Sequence, residues 1–186
     1  AGQLNVVFRD RNLSDLIGFV YQGMKEIDAV NNFMMHLENI NKTFKNKDIL
    51  VLGGTGGIGS AITKQLQALG ANVTSVGHEI NLSRPLSINK SIYKPWDCII
   101  HSAGAYATDA EGLMAHYDEV MNVNFRSIVN IVEDRQRLLK LNGSIICIGS
   151  VAATKGRPGI SLYSASKAAL NCFVESISSL LAKESY

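Results

Sequence analysis

Apolar positions along this chain fall into two regimes. From residue 48 onward, short unbroken apolar runs alternate with stretches where apolar residues recur at every third or fourth position. Ile49-Leu50-Val51-Leu52 has the unbroken character of a strand buried on both faces. Residues 60–69 carry helical periodicity. Asn72-Val73-Thr74-Ser75-Val76 and Asp97-Cys98-Ile99-Ile100-His101 read as further strands, with Glu79-Ile80-Asn81-Leu82 as a short one between them. Residues 117–141 predict one long helix, 144–148 a strand and 163–183 a final helix. Strands alternating with helices define βαβ units, so the expected class is α/β, a doubly wound parallel sheet over residues 47–186.

Residues 1–46 lack any strand-turn-helix unit. Val30, Phe33, Met34, Leu37, Ile40 and Phe44 recur at helical spacing over 28–44. Residues 13–24 form a second apolar stretch, opened by Ser14. The expectation is an N-terminal helical extension, packed against the main domain or a partner.

Composition narrows the functions. At 186 residues the chain suits one domain with a small appendage, and 46% apolar content supplies a core. A formal charge of +2 without a dense basic run points away from nucleic acid. No apolar run is long enough to span a bilayer, and the first residues lack a signal-peptide layout. Cys98, Cys147 and Cys172 have no metal-ligand spacing and each sits among apolar neighbours. Buried free thiols in a reducing, cytoplasmic protein is the expectation, with no metal site.

Open α/β sheets bind ligands beyond the C-terminal ends of their strands. The notable residues fall there: the run from Gly53 to Gly59, the run from Ser102 to Gly104, and Ser150 each follow a strand. Gly53-Gly54-Thr55-Gly56-Gly57-Ile58-Gly59 joins a buried strand to a helix. Such a turn lets backbone approach a pyrophosphate, and the helix N-terminus offers free N–H groups to the phosphates. By itself it is also compatible with a tight turn and nothing more; the strand before and helix after are what dinucleotide binding requires. Tyr163 and Lys167 lie four apart on the final helix, so one turn brings them to the same face. A phenol and an ammonium so placed share one site, and the cation favours the phenolate. Spacing alone equally describes a solvated pair.

Over residues 48–186 the chain resembles the short-chain dehydrogenase/reductase family, and so a Rossmann-like fold. The family's Thr-Gly-x-x-x-Gly-x-Gly matches Gly53, Gly57 and Gly59, with Leu52 in place of Thr. Its Asn-Asn-Ala-Gly becomes His101-Ser102-Ala103-Gly104, its helix asparagine falls on Asn124, its serine on Ser150, and its Tyr-x-x-x-Lys on Tyr163 and Lys167. The resemblance implies an NAD(P)-dependent oxidoreductase acting on a carbonyl/alcohol pair. Tyr163 exchanges a proton with the substrate oxygen, Ser150 hydrogen-bonds that oxygen, Lys167 binds the nicotinamide ribose, and Asn124 holds a water leading to Lys167. Gly53, Thr55, Gly57, Ile58, Gly59, Ser102, Ala103 and Gly104 would hold the cofactor with Tyr163 and Lys167. Read singly, Ser150 is equally a turn cap and Asn124 a buried amide bonded to backbone.

Gly77 takes the place where NAD-selective sites carry a carboxylate, which favours NADP. His78 stands in for the missing arginine, while Glu79 argues for NAD; Asn81 replaces the adenine-contacting Asp. Three departures from the family are expected. The stretch between the second strand and His101 is short, with the helix before Glu79 deleted. The sheet is incomplete at the C-terminus, lacking the substrate lid. Residues 8–40 are similar to a segment of family-57 glycoside hydrolases, too short for a glycosidase barrel and assigned no sugar chemistry. The partners implied are a small carbonyl or alcohol substrate and a second copy of the chain, through the helix at 117–141 and the last helix, with no nucleic acid or membrane. Leu170, Phe173, Val174, Ile177 and Leu181 supply apolar surface for pairing. Arg157-Pro158-Gly159-Ile160 would line the pocket. The alternative is a non-catalytic nucleotide-binding or dimerising protein of the same fold.

Overall fold

The computed structural model describes residues 44–82, 84 and 90–181. The helices expected within residues 1–43, and the end of the last helix beyond 181, lie outside the described residues.

Among the described residues, four parallel strands form the sheet: β1 (Asp48–Leu52), β2 (Asn72–Val76), β3 (Trp96–His101) and β4 (Leu139–Cys147), in the order β2-β1-β3-β4. Strand register aligns Val76, Leu52, His101 and Cys147 as one terminal row. Everything the sequence singles out for chemistry follows that row.

Side chains alternate across the sheet as strand geometry requires. Ile49, Val51, Cys98, Ile100 and Ile146 face α1 (Gly57–Ala68), packing on Ile62, Leu66 and Phe44. Phe44, assigned above to the extension, therefore belongs to the core of the α/β unit. Leu50, Leu52, Ile99, Ile145 and Cys147 lie in the opposite core with Ile128, Ile131, Leu170 and Val174. Ile128 and Ile131 come from α3 (Ser127–Glu133) and Leu170 and Val174 from α5 (Ser161–Leu181); α2 (Tyr117–Met121) precedes α3, and α4 (Arg135–Leu138) leads into β4. Burial on both faces explains the unbroken apolar runs.

Four expectations change. Residues 79–82 are not a strand. The Glu79 carboxylate accepts the Gly77 N–H at 2.6 Å, and the Ile80 N–H donates to the Gly77 carbonyl at 3.2 Å, closing a turn. Ile80 and Leu82 then enter the core as loop residues. The long helix expected over 117–141 is broken: a π turn, Asn122–Arg126, widens it, and Leu139 already belongs to β4. Leu170, Phe173, Val174 and Ile177 pack on the protein's own core rather than forming a free apolar face. Cys98 and Cys147 are buried free thiols, but Cys172 is exposed, because it lies on the side of α5 turned from the sheet.

Candidate active site

The strand ends and the turns after them are stitched together by backbone. Gly53 and Gly54 N–H both donate to the Val76 carbonyl, Ser102 N–H to the Leu52 carbonyl, and Ile148 N–H to the His101 carbonyl, at 2.8–2.9 Å. Gly53 has φ of +79°, and a Cβ there would lie within 2.8 Å of the Ser102 carbonyl carbon and closer still to Ala103 backbone. Only glycine fits this crossing, so the glycine turn and the Ser102-Ala103-Gly104 segment form one surface. Gly59 presses on the Gly53–Gly54 backbone in the same way, seating the start of α1 against the turn.

Beyond that contact the turn opens to solvent. Thr55, Gly57 and Ile58 are exposed, no side chain caps α1, and its first turn carries no acidic residue. Free N–H groups and the positive end of the helix dipole thus face outward, a cradle suited to an anionic pyrophosphate. His78 is exposed on the turn after β2, while Asn81 is also exposed and already engaged in an interaction of its own.

The second half of the site converges on Gly104. A Cβ on that residue would stand 3.6 Å from Asn124 Oδ1 and 3.9 Å from Lys167 Nζ. The π turn delivers Asn124, which is fully buried. Such a one-residue widening recurs at functional positions in helices. Asn124 Oδ1 accepts the Ala105 N–H at 2.8 Å; its Nδ2 donates to the Ala105 carbonyl and to Ser166 Oγ, both at 2.9 Å. Ser166 in turn donates to the Tyr163 carbonyl at 2.7 Å. Both Nδ2 hydrogens are therefore spent on protein. The side chain clamps the chain after Gly104, as expected of a buried amide bonded to backbone.

Lys167 is 4% exposed, and its Nζ donates to the Ile148 carbonyl at 3.0 Å. Burial lowers its pKa to about 8, with a small opposing effect from Cys147. Tyr163 is half-buried, and its ring lies 5.3 Å from that of Tyr106. Ser150 accepts the Ala152 N–H at 3.2 Å, capping a short 3-10 turn, Val151–Ala153. The cap uses an oxygen lone pair and leaves the hydroxyl hydrogen free to donate.

His101 is fully buried beside this cluster. Ser127 gives its single hydrogen to the Val123 carbonyl at 2.7 Å, so it accepts from His101 Nε2 at 2.7 Å. That fixes the tautomer and leaves Nδ1 as an acceptor with no partner. Burial, then the nearby Lys167 charge, drive the imidazole pKa down to about 3. Sequence reasoning placed His101 in a motif but gave it no role, and it missed Ser166 and Tyr106. Ser166 lay in view within Tyr-x-x-x-Lys; Tyr106 had no motif to mark it.

A groove of about 490 Å³ runs along α5, lined by Arg157, Pro158, Ser161, Ser164, Ala165 and neighbouring small residues. Ser150, Tyr163 and Lys167 do not line it. Arg157 and Pro158 border this groove.

Known proteins agree with this geometry. A family model described as short chain dehydrogenase matches residues 83–185. A model of glycosyl hydrolase family 57 matches residues 1–58, ending within the glycine turn. A 3-oxoacyl-(acyl-carrier-protein) reductase of Escherichia coli strain K12 is 30% identical over 165 residues, covering 72% of this chain and 67% of that protein. Carbonyl reductase family member 4 of Xenopus laevis is 29% identical over 167 residues, covering 74% and 70%. Among solved structures, a blue fluorescent protein from a metagenomic library, in complex with NADPH, superposes with a TM-score of 0.65 at 26% identity, covering 76% and 71%. The chain spans about two thirds of the length of the curated relatives it matches. With a family model over more than half the chain, and a parallel sheet whose strand ends are followed by the glycine turn and the Asn124–Ser166–Tyr163 hydrogen-bond chain, with Lys167 beside Gly104, this protein is a member of the short chain dehydrogenase family.

Proposed function

We propose that this protein is an NADP-dependent oxidoreductase that interconverts a carbonyl compound and its alcohol. The observation that carries the reading is the convergence of Gly104, Asn124 and Lys167, tied through Ser166 to Tyr163, beside an uncapped glycine-turn helix.

Gly53, Thr55, Gly57, Ile58, Gly59, Ser102, Ala103 and Gly104 hold the dinucleotide, with His78 and Asn81 toward its adenosine end. When bound, the dinucleotide supplies the hydride for carbonyl reduction and accepts it in the reverse direction. The Tyr163 phenol gives a proton to the substrate oxygen, and the free Ser150 hydroxyl hydrogen fixes that oxygen in line. Lys167, anchored on the Ile148 carbonyl, holds the nicotinamide ribose. Asn124 fixes the chain at Ala105, and so the floor of the site.

NADP is preferred over NAD because Gly77 offers no carboxylate at the end of β2 and His78 is exposed beside it. The relative solved with NADPH supports the same choice. Glu79 is the one feature pulling toward NAD, with its carboxylate held by the Gly77 N–H. Three free cysteines suit a reducing compartment, the cytoplasm. The working form is a homo-oligomer, and the residues before Phe44 are a helical extension to the dinucleotide-binding domain.

The test is NADPH oxidation with a panel of ketones and aldehydes, in wild type and Tyr163→Phe, alongside calorimetry. Wild type is expected to turn over, and the variant to lose about 10³-fold while keeping its affinity for NADPH. Full activity in the variant would refute the proton-transfer role. Tight NADPH binding by wild type with no turnover on any carbonyl would identify a non-catalytic nucleotide-binding member of the fold.

A further inference from the structure

Tyr106 is a large aromatic residue left 63% exposed, yet it is held in place from both sides. Before it, both backbone polar groups of Ala105 are gripped by Asn124, at 2.8 and 2.9 Å. After it, Ala107 is buried and Asp109 ties the segment to the start of α5. The Asp109 N–H donates to the Gly159 carbonyl at 2.9 Å, and its carboxylate accepts the Ser161 N–H and Ser161 Oγ–H, both at 2.7 Å. Between these clamps the Tyr106 ring leans on the Tyr163 ring, with centroids 5.3 Å apart and planes tilted by 59°.

The contact engages only part of the ring. The rest is open apolar surface, fixed beside the phenol proposed to donate the proton. A ring immobilised before binding loses little entropy when a partner packs on it. Flat partners gain most, since aromatic pairs contribute beyond the area they bury.

We propose that Tyr106 is the specificity-determining wall of the substrate site, selecting carbonyl compounds whose carbonyl carries an aryl or other planar conjugated group. This inference rests on the proposed oxidoreductase reading. It places the planar substituent against Tyr106 and the carbonyl oxygen toward Tyr163 and Ser150.

The test is a binding titration of two ketones of similar size, acetophenone and cyclohexyl methyl ketone, read by ligand-observed NMR on the NADPH-saturated protein. Wild type is expected to bind acetophenone about three- to tenfold more tightly. Tyr106→Phe should keep that preference and Tyr106→Ala should erase it; both should fold, because the side chain is exposed. Equal affinities in wild type, or a preference that survives in Tyr106→Ala, would overturn the proposal. Binding is read without turnover, so a failure of the catalytic reading shows up separately, as full activity in Tyr163→Phe. The same titration on the protein without NADPH reads the preference even where the dinucleotide does not bind.

Discussion

The two ends of the sheet are built on opposite rules. At the N-terminal end, the first residues of the strands meet in a charge network. Lys140 Nζ lies 2.5 Å from Asp48 Oδ2 and 2.8 Å from Asp97 Oδ2; Asp97 also accepts the Asp48 N–H at 2.8 Å, and Asn72 donates to Asp48 at 3.2 Å. Lys47 adds a looser contact to Asp97, at 3.4 Å. Every charge there has a partner of opposite sign. At the C-terminal end, Lys167 is buried on a carbonyl, His101 keeps an unpartnered Nδ1, and the loops are glycine and small residues. One end is closed by its own pairings, whereas the other leaves donors, acceptors and space uncommitted.

Acid should break the contrast most visibly. The imidazole of His101 titrates near 6.5 when unfolded and near 3 when folded, so the unfolded chain takes the proton first. The stability from keeping it neutral is complete above pH 6.5 and drains as pH falls toward 3. Urea unfolding should show a loss of roughly 3 kcal/mol between pH 7 and 4. His101→Asn should flatten that slope; parallel curves for the two proteins would remove His101 as its cause. The carboxylates of the other end act lower. Lys140 helps hold Asp48 and Asp97 below the usual carboxylate range, so their contribution is complete above about pH 4 and is lost as pH falls through those lowered values.

A smaller effect is expected at the paired end itself. Lys140 and Asp48 are more than a third exposed, so solvent screens their attraction. Lys140→Met should cost no more than about 1 kcal/mol in urea unfolding and leave NADPH affinity unchanged. A loss of affinity in this variant would mean the two ends are coupled, contrary to the division described above.

The strands, and the glycine turn between β1 and α1, were legible because burial on both faces writes an unbroken apolar run. Residues 79–82 misled because Ile80 and Leu82 look like strand residues. Their burial comes from a turn closed by the Glu79 carboxylate, a contact that periodicity does not record. The helix at 117–141 read as continuous because a π turn leaves the apolar spacing nearly intact. Asn124, Ser150, Tyr163 and Lys167 were found through motif order, yet the clamp made by Asn124 on Ala105 joins residues far apart in sequence. Tyr106 was invisible for the same reason: its importance lies in being held beside Tyr163, which only the fold brings about.

The claim that the C-terminal end is a dinucleotide site can be tested at Ile58. This side chain is 54% exposed in the first turn of α1, where no acidic residue is present. A carboxylate there complements the helix dipole, so Ile58→Glu should melt at the same temperature as wild type or slightly higher. The same charge opposes a pyrophosphate at the helix N-terminus. Calorimetric titration with NADPH should show clear binding by wild type and a loss of about tenfold or more in Ile58→Glu. Equal affinity in the two proteins, or no binding by wild type, would contradict the assignment of this end of the sheet to the dinucleotide.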